Sequence, residues 1–229
     1  MAQNPLAERI KELGFDPAHY FVSSDAAARL HKVELSKDSG KIHLIASPGL
    51  FKKLAEKHKL VHGKDNMPAT VIVAPDVAAS TKFWDSYRGA VDTIDGVPVL
   101  RLGKLNDYWH TVEGQANISD SEAIKAKVAS VMADCKKKGK TDRQIGDHLG
   151  LTEQAVVNVA TKLLGINRTE WHSMGKPTAK AIVGRLEETG YKWNAVEQEF
   201  FPGKRSPKTA LMKILNGSPE WAAAKKKGK

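Results

Sequence analysis

The stretch Lys140–Leu164, KTDRQIGDHLGLTEQAVVNVATKLL, carries side chains that could read a nucleic-acid base at short helical spacing. Gln154 and Asn158 are four residues apart, and a carboxamide can meet an adenine edge with donor and acceptor together. Thr152 can touch a thymine methyl, and Lys162 can reach a guanine or a phosphate. Glu153 is a further groove-facing candidate. Arg143 and Gln144, just upstream, are placed for backbone contacts, with Thr141 beside them. Such groups need a rigid carrier. Thr141 suits an N-cap with Asp142 in the first turn, and Ile145 and Leu149 share one helix face. Gly150 can then end the helix in the left-handed region. Thr152 caps a second helix, whose apolar positions are Ala155, Val156, Val159, Leu163 and Leu164. Two short helices around a tight glycine turn make a helix-turn-helix, and its second helix commonly enters the major groove. A plain helical hairpin in a bundle needs the same apolar spacing, and some protein-binding modules use the same pair.

Other groups could do different chemistry. His58 and His62 have the four-residue spacing of zinc ligands, but no HExxH pattern accompanies them, so exposed helix histidines are the expectation. Asp92 and Asp95 could bind a metal, yet Asp95-Gly96 reads first as a turn. Asp85 and Arg88 lie close by in sequence, and the four groups form no defined nuclease constellation. Trp84 and Trp109 are expected to pack an α/β core, and Trp171 and Trp193 the helices downstream. Gly203–Lys208 reads as a phosphate-contacting loop or a solvated linker.

Charge separates the chain into two halves. The 229 residues carry 36 Lys+Arg against 26 Asp+Glu, a net of +10. Residues 1–120 hold 15 of each sign, and residues 121–229 hold 21 basic against 11 acidic. All the excess lies in the second half, together with the candidate helix-turn-helix, so double-stranded DNA is the expected partner. A hydrophobic fraction of 41% with 27% charged residues argues against a wholly disordered chain. No run approaches a membrane span, and the first residues show no basic-then-apolar leader. One cysteine, Cys135, makes no internal disulfide and fits a reducing cytoplasm, where the protein would associate with DNA.

The elements that would position these groups are mixed in the first half and helical in the second. Pro5–Gly14, Ser24–Lys32 and Pro48–Leu60 read as helices, while Lys41–Ala46, Val71–Ala74 and Val97–Leu102 read as strands. Pro98 points to an edge or strand end. Residues 121–138, 141–149, 152–164 and 178–189 read as helices. The expected fold is therefore an α/β (α+β) domain over 1–118, an all-α helix-turn-helix domain over 119–215, and a basic tail over 216–229.

With the helix-turn-helix placed, the order of motifs from Pro48 to Leu186 resembles the ParB family of partition-complex proteins. Leu54-Ala55 with His62-Gly63 is similar to the family's Leu-Ala helix and the glycine that follows it. Pro68–Val73 looks like its next strand, Asp85–Ala90 lies in the place of its "GxRRxxA" motif, and Gly96–Leu100 resembles its "VPVxV" strand. Gln115–Ile118 sits where the family has "ENxxR", and Gly175–Thr178 with Ala181 resembles the segment after its helix-turn-helix. The resemblance implies CTP with Mg²⁺ on the first domain, held around Ser86, Tyr87, Arg88 and Asn117. It also implies a homodimer on an inverted DNA repeat, with Lys176 and Lys180 among the phosphate-holding residues, and a partition ATPase or the transcription machinery as further partner. The nucleotide motifs depart from the pattern. Ser86 replaces a glycine, the arginine pair is reduced to Arg88, and Asp120 stands in an arginine's place, where its charge would repel a triphosphate. Sulfiredoxin shares the domain architecture, but its thiol has no counterpart in Asp85-Ser86-Tyr87-Arg88.

Overall fold

A computed structural model describes residues 4–37, 40–58, 71–72, 77–111, 114–115, 118–201 and 205–227. Among these the chain is mostly helical, with one small mixed sheet. It divides into two compact units, Met1–Met174 and Gly175–Lys229. The division expected at 118/119 is therefore displaced by more than fifty residues, and the helix-turn-helix segment belongs to the same unit as the sheet.

The first unit opens with α1 (Pro5–Lys11), β1 (Tyr20–Ser23), α2 (Ser24–Leu30) and β2 (Ile42–Ala46). It continues through α3 (Pro48–His58), β3 (Val71–Ile72), α4 (Val77–Tyr87) and the hairpin β4 (Val91–Ile94) and β5 (Val97–Leu100). The helices α5 (Leu102–Trp109), α6 (Ser121–Lys137), α7 (Asp142–Leu149), α8 (Glu153–Leu164) and α9 (Arg168–Ser173) complete it. The sheet order is β3-β2-β1-β5-β4. β1 runs antiparallel to β2, from Tyr20↔Ala46 to Ser23↔His43, and parallel to β5 at Val22↔Val99. Every residue of β1, β2 and β5 is buried, and apart from Ser23 and His43 these runs are apolar on both faces and do not alternate. β4, at the edge, is only half-buried.

Two strands escape a reading by periodicity. β1 and β4 are four residues each, too short to declare a period. Of the two positions expected for Pro98, it takes the strand end, second in β5, and not the edge, because β5 lies between β1 and β4. The β1–β5 ladder consists of the single Val22↔Val99 pairing, so Pro98 interrupts little of it. The turn at Asp95-Gly96 forms as expected. Both residues have positive φ (51° and 79°), the geometry of a two-residue hairpin loop whose twist matches its strands. Parts of other expectations lie outside the described residues: Val73-Ala74, Leu60, His62, Asn117 and Gly203-Lys204.

Polar groups fasten the segment before α6 to the sheet side of the unit. Asp25, buried at the start of α2, accepts the Ser119 backbone N–H at 2.9 Å. Asp120 caps α6 by accepting from the Ala123 N–H at 3.0 Å, and it also accepts from the Ser36 N–H (2.9 Å) and hydroxyl (2.6 Å). The Ser36 hydroxyl and these N–H groups hold its carboxyl at about 2, below the usual range. The acid in the place of the family's arginine is thus engaged in joining two parts of one unit.

The second unit holds α10 (Ala179–Glu188), α11 (Trp193–Phe200), α12 (Pro207–Leu215) and α13 (Pro219–Lys227). Its core is Ile182, Val183, Leu186, Val196, Leu211, Leu215, Trp221 and Ala224. The stretch expected as a basic tail is mostly a helix, α13, because Trp221 and Ala224 are three apart and both buried.

Burial also decides a pH response. His43 on β2 is 5% exposed, and neither ring nitrogen has a hydrogen-bond partner among the described residues. Burial lowers its pKa to about 4, against a smaller opposing pull from Asp25. Between about pH 6.5 and 4 the unfolded chain takes up a proton that folded His43 refuses, so stability falls on acidification through that window. Hydrogen exchange of the β1 and β2 amides should show an acid-induced loss on the order of 3 kcal/mol from this group, absent in His43→Leu. An equal acid slope in both proteins would show that His43 does not cause it.

Candidate nucleic-acid interface

The α7–α8 pair forms as two capped helices around a tight turn. Thr141 Oγ1 accepts from the Gln144 backbone N–H (3.2 Å), and Gln144 Oε1 accepts from the Thr141 N–H (2.9 Å), a reciprocal capping box. Gly150 closes α7 at φ 73°, where a side chain would be strained and would also press on Arg101 and Ala90. Thr152 then caps α8 through the Ala155 N–H at 3.2 Å. Ile145, Leu149, Leu151, Val156 and Ala160 are buried between the helices.

This pair is anchored on two sides. On the sheet side, a Cβ at Gly103 of α5 would lie 2.5 Å from the Leu149 carbonyl oxygen and 2.8 Å from Leu151 Cγ, so only glycine permits the approach. Arg101 reinforces it: Nε donates to Asp92 Oδ1 of β4 and NH1 to the Asp147 carbonyl of α7, each at 2.9 Å. On the helical side, Asp142 gathers three helices. Its Oδ1 accepts from Lys136 Nζ of α6 at 2.6 Å and from the Trp171 indole N–H of α9 at 3.0 Å. His172 Nδ1 lies 3.7 Å from its Oδ2. The Lys136 and Asp142 side chains are each 11% exposed, and Lys136 Nζ also sits 4.8 Å from the Trp171 ring centroid. Trp171 is fully buried, as its expected packing role requires.

The face that α8 leaves open carries Glu153, Gln154 and Asn158, with capping Thr152 at its start, all exposed. Their side chains are not equally available. Asn158 Oδ1 accepts from Arg168 NH2 at 3.1 Å, so its acceptor is already in use. Gln144 Oε1 is held in the capping box. Gln154 has no hydrogen-bond partner among the described residues, and its amide presents donor and acceptor together. Arg143 on the first turn of α7 is exposed, as are Lys137, Lys138 and Lys140 around the end of α6, none of them ion-paired among the described residues. Lys162, one turn beyond Asn158, lines a cleft with α5 and α6. Lys176 and Lys180 are exposed at the start of the second unit. Residue type and spacing gave no hint of Arg101, Asp142 or Arg168. In sequence Asp142 shows only the role of a first-turn acid.

The residues of the nucleotide motif stand differently. Tyr87 is packed, its ring 6.3 Å from Phe83 and 5.9 Å from Tyr108. Ser86 is exposed, and Arg88 lies 3.8 Å from Asp85. Asp92 is bound to Arg101 and Asp95 forms the hairpin turn, so the acids considered for a nuclease have separate structural roles. Among the described residues no group of three or more His, Cys, Asp or Glu could hold a metal. Cys135 is buried on α6. No described helix is long and apolar enough to cross a membrane. Comparison with known proteins finds no matching family model, curated protein or solved structure. The ParB resemblance therefore rests on the order of motifs alone.

Removing one partner from a nearly enclosed ion pair leaves the other charge uncompensated. Asp142→Ala should lower the protection of α7 and α8 amides against hydrogen exchange by about 2–4 kcal/mol. Arg143→Ala, on the exposed face, should stay within about 0.5 kcal/mol. Equal effects would remove Asp142 from its anchoring role.

Proposed function

We propose that this protein binds double-stranded DNA in a sequence-specific way, with α8 as the reading helix. The observation that carries this reading is the exposed Gln154 amide, unpaired among the described residues, on the first turn of α8, in a unit that also exposes Lys137, Lys138, Lys140 and Arg143 without ion-pair partners among the described residues. A base reader must be fixed to a few tenths of an ångström, and the Gly103 approach, Arg101 and Asp142 hold α7 and the turn that leads into α8 from both sides. Lys137, Lys138, Lys140 and Arg143 supply phosphate contacts, which position the protein without specifying sequence. The finer reading is a ParB-like protein in which the sheet-bearing part serves as a dimer-forming or regulatory module. Two copies related by two-fold symmetry would read an inverted repeat. It acts in partition or transcription regulation, with a partition ATPase or the transcription machinery as its next partner. The alternative of a CTP-dependent switch has less support, since Tyr87 is packed, Arg88 is beside Asp85 and Asp120 is tied to Ser36.

Selection of duplexes from a random-sequence pool at about 150 mM salt, where nonspecific attraction is weakened, should enrich an inverted repeat. Gln154→Ala should then lose about 1–3 kcal/mol on that site while nonspecific binding is unchanged. Capture without enrichment would leave a sequence-blind DNA-coating protein. Equal loss on both kinds of DNA would remove Gln154 as a base reader.

A further inference from the structure

A cleft of about 400 Å³ lies between α5, α6 and the second half of α8, within the first unit. We propose that it is a binding site for a small organic anion: a carboxylate or phosphate head on a compact apolar body. Asn106 of α5 points to a ligand. The residue is 7% exposed and lines the cleft. Its side-chain amide makes no hydrogen bond with any described residue, yet it is not among the fully enclosed unpaired atoms. An unpaired amide that is nearly buried but not sealed opens onto the cleft, and it offers a donor and an acceptor there.

The charges set the sign of the ligand. Glu122 and Lys125 neutralise each other at 2.7 Å, and Lys125 Nζ is also held 4.4 Å from the Trp109 ring centroid. Lys162 has no carboxylate partner among the described residues, so the cleft keeps one uncompensated cation. His110, at the end of α5, adds a polar group at the same wall. The rest of the lining is apolar: Ala126 and Ala129 of α6 are short enough to leave room, and α8 adds Val159 and Leu163. A mostly apolar hollow with a few convergent polar groups is the usual form of a small-molecule site. The apolar walls favour a body over a bare ion, and Lys162 with Asn106 favours an anionic head that also accepts a hydrogen bond. This inference does not rest on the DNA-binding reading, because it concerns the side of α8 turned towards α5 and α6.

The test is a titration of the full chain with benzoate, followed by the amide resonances of α5, α6 and α8. Benzamide serves as the neutral analogue and inorganic phosphate as the bare anion. Saturable shifts confined to those helices are expected with benzoate, in about the millimolar range for so small a ligand. Benzamide and inorganic phosphate should each bind at least roughly tenfold more weakly. Lys162→Gln, at an exposed position, should weaken benzoate by about tenfold or more, and Asn106→Ala should do the same. If Asn106→Ala fails to fold, Lys162→Gln still decides. The proposal is overturned by no saturable shift, by shifts elsewhere, by equal affinity for benzamide or phosphate, or by unchanged affinity in Lys162→Gln.

Discussion

No side chain fits between α5 and the end of α7. A Cβ at Gly103 would meet the Leu149 carbonyl oxygen at 2.5 Å, and that missing atom lets the α7–α8 turn settle onto the sheet-bearing part of the molecule. Leu149 and Leu151 then share one core with Val97, Val99 and Leu105. Arg101 follows from the same approach, since its guanidinium spans from Asp92 of the edge strand to the Asp147 carbonyl. The orientation of α8 is thereby set by the hairpin as well as by its neighbouring helices. A helix pair on a flexible linker would have to be ordered anew at each encounter with a partner, at an entropic penalty that this arrangement avoids.

What the sequence discloses here is what local chemistry decides. Thr141, Gly150 and Thr152 announce their caps, because a cap is made within three or four residues. The helices α6, α7, α8 and α10 are legible from apolar spacing for the same reason. The segment Val97–Leu102 is legible only in part. It ends as a strand at Leu100, and Leu102 begins α5, whose short apolar start carries no distinct period. The change of composition near residue 119 reflects which surfaces are charged, whereas the compact units divide at 174/175. Packing is recorded instead in contacts between distant residues, such as Asp25 with Ser119 and Ser36 with Asp120. The helix over 219–227 was hidden under a run of lysines, although Trp221 and Ala224 already had the spacing of a buried stripe.

The candidate site shows the same division at finer scale. Sequence places Gln144, Gln154 and Asn158 together as carboxamides with equal prospects. Structure separates them by what each has already bonded: Gln144 to its own cap, Asn158 to Arg168, Gln154 to no described residue. Bonding between residues ten or more apart depends on the turn between α8 and α9, and no residue type foretells it. Asp142 is the reverse case, a residue with one visible local role that also receives Lys136 and Trp171.

The second unit has a further property that follows from its size. Residues 175–229 carry 12 Lys and Arg against 5 Glu, a net of +7, around a core of eight buried residues among those described. So small a core leaves a narrow margin of stability, and like charges on its surface narrow it further. Its folding is therefore linked to ionic strength: dissolved salt screens the repulsion and firms the unit, while dilution loosens it. A polyanion that favours the folded form would act as a concentrated counterion and stabilise it by mass action.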